Sequence, residues 1–237
     1  AFVGINIGTD ISNPPSPADM VSLLRSHHIT HVRLFDSDPH ILRALSGTGI
    51  EVAITVKNEE LVGIGEIPSR AADWINRNVV PHLPSTNITA VCVGTEVLTS
   101  APHVAPVLVP AMANLHRALV SSDLNFLVKV STPHSMDVVP APFPPSSAAF
   151  NATWNATMFR ILQFLRNTES YFMLNAYPYY EYVKSGGVFP LDYALLLSGE
   201  LPSEKRIVDP NTLLSYDNMF DALVDATYYS MAAMNFS

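Results

Sequence analysis

The sequence predicts an α/β fold built on a parallel sheet, and within that class a (β/α)8 TIM-barrel type with about six βα units present. Three observations lead there. Short β-branched runs alternate with longer stretches of helical period, the pattern of successive βα units. Most of the short runs are apolar on both faces, as parallel strands packed between helices and an inner core must be. The first strand-to-helix turn reads Gly8-Thr9-Asp10-Ile11-Ser12, without the G-x-G-x-x-G of an open nucleotide-binding sheet. No repeat, low-complexity tail or dividing linker interrupts the chain, so residues 1–237 are expected to form a single incomplete TIM-barrel domain, two units short of closure.

In chain order, the strand candidates are Phe2–Gly8, His31–Asp36, Glu51–Lys57, Ile88–Val97, Phe126–Thr132 and Tyr171–Tyr177. The helix candidates between and after them are Pro17–His27, Pro39–Ser46, Pro68–Asn78, Pro106–Ser121, Thr153–Arg166 and a last one from Tyr216 to about Met234. Several open on proline, whose missing N–H is harmless in the first turn. Ser215 is the expected cap of the last helix, ahead of apolar residues at helical spacing. The proline-rich stretch Val139–Ser147 and the segment Glu181–Asn211 read as loops.

With 48% hydrophobic and 14% charged residues, the chain is too apolar for disorder, and no stretch is expected to span a membrane. Its net charge of −8 repels polyanions and speaks against a nucleic-acid partner. A neutral polysaccharide fits that balance, since sugars are held by hydroxyl hydrogen bonds and aromatic stacking. The single Cys92 excludes an internal disulfide. Four acceptor tripeptides, at Asn87, Asn151, Asn155 and Asn235, favour secretion and glycosylation. The chain opens directly on a strand-like run, so any signal peptide is expected to have been removed.

Catalytic groups of a parallel barrel sit at the C-terminal ends of its strands. Those ends supply Asn6, Arg33 with Asp36, Asn58, Glu96, His134 and Tyr177. Glu96 closes the otherwise apolar run Val91-Cys92-Val93-Gly94-Thr95-Glu96-Val97, where partial desolvation suits a carboxyl to donate a proton. An acid at a strand end also serves as a satisfied structural group; polar groups must converge there for the catalytic reading to win. His27, His28 and His31 point in different directions, so no metal site is expected from them. There is no G-x-S-x-G elbow, and Cys92 sits inside a strand with no positive company expected, which argues against serine and cysteine nucleophiles. The aromatic run from Tyr177 to Tyr182 is either core packing or a platform for sugar rings.

Taken together, Gly4-Ile5-Asn6-Ile7-Gly8, Val32-Arg33-Leu34-Phe35-Asp36, Val93-Gly94-Thr95-Glu96-Val97-Leu98, Lys129-Val130-Ser131-Thr132-Pro133-His134-Ser135, Asn175-Ala176-Tyr177-Pro178-Tyr179 and Leu191-Asp192-Tyr193-Ala194 resemble the plant endo-β-1,3-glucanases of glycoside hydrolase family 17. The resemblance implies an open-cleft barrel that hydrolyses β-1,3-glucan with retention, using two carboxyls and neither metal nor organic cofactor. Glu96 matches the acid/base. Asn6, Arg33, Phe35, Thr95, His134, Asn175, Tyr177 and Tyr180 match or neighbour substrate-binding positions. Thr95 stands where the family has Asn, and Phe35 where it has Tyr. The family's nucleophile lies in Glu-x-Gly-Trp-Pro on the seventh strand, a motif these 237 residues do not contain. The chain is therefore expected to be cut off before that strand, with activity impaired unless a complementing segment supplies it. The alternative is a non-catalytic glucan-binding or lectin-like defence protein on the same scaffold, or a barrel fragment without activity. Exposed edges on the first and sixth strands would call for that segment, a dimer through those edges or rearranged terminal helices to cover them. Secretion to the extracellular space, cell wall or vacuole completes the expectation.

Overall fold

The computed structural model describes residues 2–9, 12–197 and 206–236. By contact density they divide into two units, Ala1–Pro133 with Gln163–Met173, and His134–Leu162 with Leu174–Ser237.

In the first unit, β1 Ile5–Ile7, β2 His31–Leu34, β3 Glu51–Val56, β4 Asn87–Val93 and β5 Lys129–Ser131 form a parallel sheet in chain order. Register follows from β1 to β2 as Asn6 opposite Arg33, and from β3 to β4 as Val56 opposite Val93. Leu34, Val52, Ile54, Val56, Val91 and Val93 are fully buried, the burden on both faces that the apolar runs anticipated. Helices α1 Pro17–Ser26, α2 Pro39–Ala44, α3 Leu61–Glu66, α4 Pro68–Asn78, α5 Val97–Ser100 and α6 Ala105–Ser121 connect them. Ser16 and Asp38 cap α1 and α2 by accepting from Asp19 N–H and from the His40 and Ile41 N–H groups, and proline stands in the first turn of α1, α2, α4 and α6.

Several sequence expectations are corrected here. α3 was not anticipated, because Gly63 and Gly65 weaken any helical signal. Tertiary contacts compensate: Asn114 Nδ2 in α6 donates to Ile64 O (2.9 Å) and Gly65 O (3.1 Å), satisfying carbonyls at the end of α3. A Cβ on Gly65 would lie 2.8 Å from Val107 O, so glycine sets how closely α6 approaches. The fourth strand ends at Val93 rather than Val97, and the fifth begins at Lys129, with Phe126 and Leu127 exposed in a turn. The run Pro102–Ser121 is, by length and composition alone, long and apolar enough to cross a membrane, contrary to expectation. Leu108, Ala111, Met112, Leu115 and Leu119 on it are fully buried, which accounts for that composition as a core helix.

The second unit takes up the chain at His134, within β6 Pro133–Ser135, which pairs with β7 Met173–Asn175; β6, β7 and α7 Asn155–Thr168 each run across the boundary in sequence. Then follow α8 Pro178–Lys184, α9 Leu191–Ala194, the antiparallel pair β8 Ile207–Val208 and β9 Ser215–Tyr216, and α10 Met219–Ala232. The segment Glu181–Asn211 is thus not a plain loop, although its residues 198–205 lie outside the described part. Ser215 does not cap α10. It lies in β9, and Asn218 in extended backbone accepts from Asp221 N–H instead. Asp209, fully buried, accepts from Ser146 N–H and Oγ (both 2.8 Å) and from the N–H groups of Asn211 and Thr212, tying the proline-rich stretch to the turn between β8 and β9.

Candidate functional site

The C-terminal ends of β1 to β4 open on a cleft of about 630 Å³ lined by Gly8, Thr9, Phe35, Asp36, Asn58 and Thr95, among others. A larger cavity of about 710 Å³ lies among Glu59 in the turn before α3, Gly63 on α3, and Arg70, Trp74 and Arg77 on α4. It holds no strand-end group from the sheet, so size does not choose the site.

The strand ends around the cleft are joined by side chains. Thr9 Oγ1 donates to Asp36 Oδ2 at 2.6 Å, and Asp36 Oδ1 accepts from Asp38 N–H at 3.1 Å, fixing the mouth of β1 against that of β2. Asn6 is exposed and stands opposite Arg33 in the ladder. The Arg33 guanidinium lies 4.8 Å from the centre of the half-exposed Phe35 ring, and its Nη2 donates to Thr95 Oγ1 at 3.4 Å. Arg33, Phe35 and Thr95, expected separately from three positions, are therefore neighbours.

Glu96 follows at once. Its backbone is left-handed, φ 51° and ψ 36°, a conformation that a non-glycine residue adopts only under local constraint. The residue is half-buried and caps the short helix α5. Its N–H donates to Pro133 O at 2.8 Å, and its carbonyl accepts from Ser100 N–H at 2.8 Å. Gly94 just before it is also left-handed, φ 68°, and its N–H donates to Val56 O at 3.0 Å. Between them, Thr95 is bracketed by the Asn58 carboxamide, whose Oδ1 accepts from Thr95 N–H (2.8 Å) and whose Nδ2 donates to Thr95 O (3.1 Å). Asn58 was visible in the sequence only as a strand-end residue; its pairing across 37 positions has no local signal.

Cys92, beneath this turn, is fully buried. Burial pushes its thiol up, which removes it as a thiolate nucleophile, and its Sγ lies 3.7 Å from Met173 Sδ. Of the histidines considered for metal, His28 is left-handed, and His31 stacks on Phe2 and lies 3.4 Å from Glu51 Oε1. Among the described residues no group of three or more His, Cys, Asp or Glu side chains is placed to hold a metal ion.

The second unit contains the other expected contacts. His134 in β6 is buried, and desolvation pushes its imidazole down to about 4, so it is neutral at neutral pH. Asn175 ends β7 and is half-buried. Tyr177 and Tyr180 are 48% and 61% exposed with ring centres 5.6 Å apart, and Tyr179 is similarly exposed, so this run is surface aromatic and not core. Glu181 is held by Lys184 at 2.9 Å. The hydrogen bond to Lys184 holds the Asp137 carboxyl below the usual carboxylate range. Of the four sequon asparagines, Asn87, Asn155 and Asn235 are exposed, while Asn151 is half-buried and caps Thr153 N–H.

The family described as Glycosyl hydrolases family 17 matches residues 3–235. Glucan endo-1,3-beta-glucosidase 4 of Arabidopsis thaliana is 60% identical over 237 residues, all of this chain and 46% of the relative, and glucan endo-1,3-beta-glucosidase 2 of the same plant is 52% identical over the same coverage. This chain thus spans about half the length of the curated relatives it matches. Among solved structures, CJP38, a β-1,3-glucanase and allergen of Cryptomeria japonica pollen, superposes with a TM-score of 0.93 at 38% identity, covering all of this chain and 72% of that one. A plant β-glucan endohydrolase superposes with a TM-score of 0.89 at 32% identity, covering 98% and 72%. The fold is accordingly α/β of the TIM-barrel type.

Proposed function

The chain belongs to glycosyl hydrolase family 17, and from that premise we propose that it serves the retaining endo-hydrolysis of β-1,3-glucan, with Glu96 as the acid/base. The observation that bears most weight is the left-handed Glu96 in the turn that follows β4, next to Thr95 in the cleft wall. Six other non-glycine residues among those described share that backbone, and it is the place of Glu96 beside the cleft, together with the strain, that supports reading the turn as a built site.

In the first step Glu96 gives its proton to the glycosidic oxygen as the bond to the anomeric carbon breaks, and a carboxylate nucleophile takes that carbon. In the second step Glu96, now ionised, takes a proton from the water that releases the sugar. We assign the nucleophile to the Glu-x-Gly-Trp-Pro motif that the family resemblance implies and that these 237 residues do not contain; the full-length polypeptide of the tests is one as long as the relatives, of which this chain spans 46%. In the first unit, Arg33, Thr95 and Asn6 offer donors and acceptors to sugar hydroxyls, and Phe35 a ring face; in the second unit, Asn175, Tyr177 and Tyr180, with the buried His134, are proposed as sugar-binding positions in their own right. A neutral substrate suits a chain of net charge −8.

The continuous family match supports reading residues 1–237 as part of one barrel domain, whose open edges a further segment or a second copy would cover. Exposed Asn87, Asn155 and Asn235 support secretion with glycans; removal of N-linked glycans from the natural protein should lower its mass. The functional test is release of reducing ends from laminarin by the full-length polypeptide, wild type against Glu96→Gln. Loss in the variant supports the proposal. Laminarin binding without release in the wild type would instead favour a glucan-binding protein.

A further inference from the structure

We infer that Asn58 is a positioning residue for Glu96: its carboxamide grips the backbone of Thr95 from both sides and so fixes the left-handed turn on which the acid stands. This rests on the reading of Glu96 as the acid. The geometry behind it is local to the first unit. The ladder between β3 and β4 ends with Val56 opposite Val93, followed by Gly94 N–H to Val56 O at 3.0 Å. Beyond that point the backbones part, β3 turning into the short helical turn Asn58–Glu60. The Asn58 side chain continues the pairing where the backbone no longer does. Its Oδ1 and Nδ2 take the N–H and C=O of Thr95 at 2.8 and 3.1 Å, as an opposing peptide group would.

The turn needs such a hold. Gly94 at φ 68° and Glu96 at φ 51° flank Thr95, and a left-handed glutamate relaxes toward ordinary backbone when its anchors are removed. The anchors on residues 94 to 96 include Val56 O, the two bonds from Asn58, Pro133 O on Glu96 N–H, Arg33 Nη2 on Thr95 Oγ1, and the Thr99 and Ser100 hydroxyls of α5 on the carbonyls of Thr95 and Glu96. Of the side chains among them, Asn58 is the one that takes both the N–H and the C=O of Thr95, so its substitution removes the two-sided hold while the hydroxyl contacts within α5 remain. Its own place is fixed, because Lys57 N–H donates to Glu60 Oε2 at 3.1 Å and closes the turn that it begins. An amide is required by the chemistry: aspartate would accept from Thr95 N–H but has no donor for Thr95 O, and would set a second negative charge beside the acid.

The test compares Asn58→Ala, Asn58→Asp and Glu96→Gln in the full-length polypeptide, on laminarin, across pH, with circular dichroism establishing that each variant is folded. Asn58→Ala should lower kcat by about 10- to 100-fold, the effect of moving a reacting group by about an ångström, with KM changed less than about twofold. Asn58→Asp, which keeps one of the two bonds and hence the fold, should lower kcat less and move the basic limb of the kcat profile to higher pH, because a neighbouring carboxylate makes Glu96 hold its proton longer. A rise in KM with unchanged kcat would make Asn58 a sugar contact and overturn the inference. So would an unaltered kcat in Asn58→Ala, or an unmoved basic limb in Asn58→Asp. If Glu96→Gln is as active as the wild type, the reading of Glu96 itself fails, which is a separate outcome.

Discussion

Replacing Gly94 by alanine measures how firmly the turn below Glu96 is held. The added methyl would lie 2.5 Å from Val97 Cγ2, 2.7 Å from Asn58 Oδ1 and 3.0 Å from Leu61 Cδ1, all too close, and φ is 68°. Gly49 is the natural control, with φ 75° and nothing within 4 Å of its added Cβ. Both substitutions incur the left-handed backbone cost of about 1–2 kcal/mol, and both gain the same small benefit from a stiffer unfolded chain. Only Gly94→Ala must also push Asn58 away from Thr95, losing two hydrogen bonds at about 1 kcal/mol each. Urea unfolding at pH 7 should therefore show Gly94→Ala less stable than Gly49→Ala by about 4 kcal/mol, about 2 from the two hydrogen bonds and about 2 from the overlap with Val97. In an Asn58→Ala background the excess should fall by about half, leaving the overlap with buried Val97. Equal losses at the two glycines would refute the reasoning, as would full additivity with Asn58→Ala.

Other outcomes follow from the same structure. His134 has its imidazole pushed down to about 4 by burial, so the unfolded chain takes up a proton first as pH falls. Its contribution is complete above about 6.5 and is lost progressively down to about 4, a loss of up to about 3 kcal/mol, and urea midpoints of His134→Gln should vary less between pH 7 and 4.5 than those of the wild type. Burial tends to raise the Asp209 carboxyl, but its bonds from Ser146, Asn211 and Thr212 outweigh that and hold it below the ordinary range. Its stabilisation is therefore present above the usual carboxylate value and is lost as acid titrates the folded state. Asp209→Ala should lower the thermal midpoint at pH 7, and combining it with Ser146→Ala should add little, since both remove one tether; additive losses would contradict this.

Much of the fold is written locally. Proline at the first turn announced α1, α2, α4 and α6, and doubly apolar runs announced the strands, because both signals act within a few residues. What escaped depends on distant partners. α3 contains two glycines and is completed by Asn114 from α6, fifty positions away from Ile64. The break after Val93 is invisible to alternation, since Val97 and Leu98 continue the apolar run into a buried helix. Ser215 and Asn218 are both good caps by type, and only the pairing of Ser215 with Val208 decides between them. At the candidate site, an acid closing an apolar strand was legible as chemistry. The contact of Arg33 with Thr95 and the grip of Asn58 were not, because they arise from the register of neighbouring strands.

The central claim is that Glu96 supplies the proton to the departing sugar, and leaving-group dependence tests it most directly. A proton is needed when the leaving oxygen belongs to another sugar, and hardly at all when it belongs to dinitrophenol. In the full-length polypeptide, Glu96→Gln should lower the first-step rate on laminarin by about 10²- to 10⁴-fold while leaving that on a dinitrophenyl β-1,3-glucoside nearly intact. An equal fall on both substrates, or none on laminarin, would contradict the account.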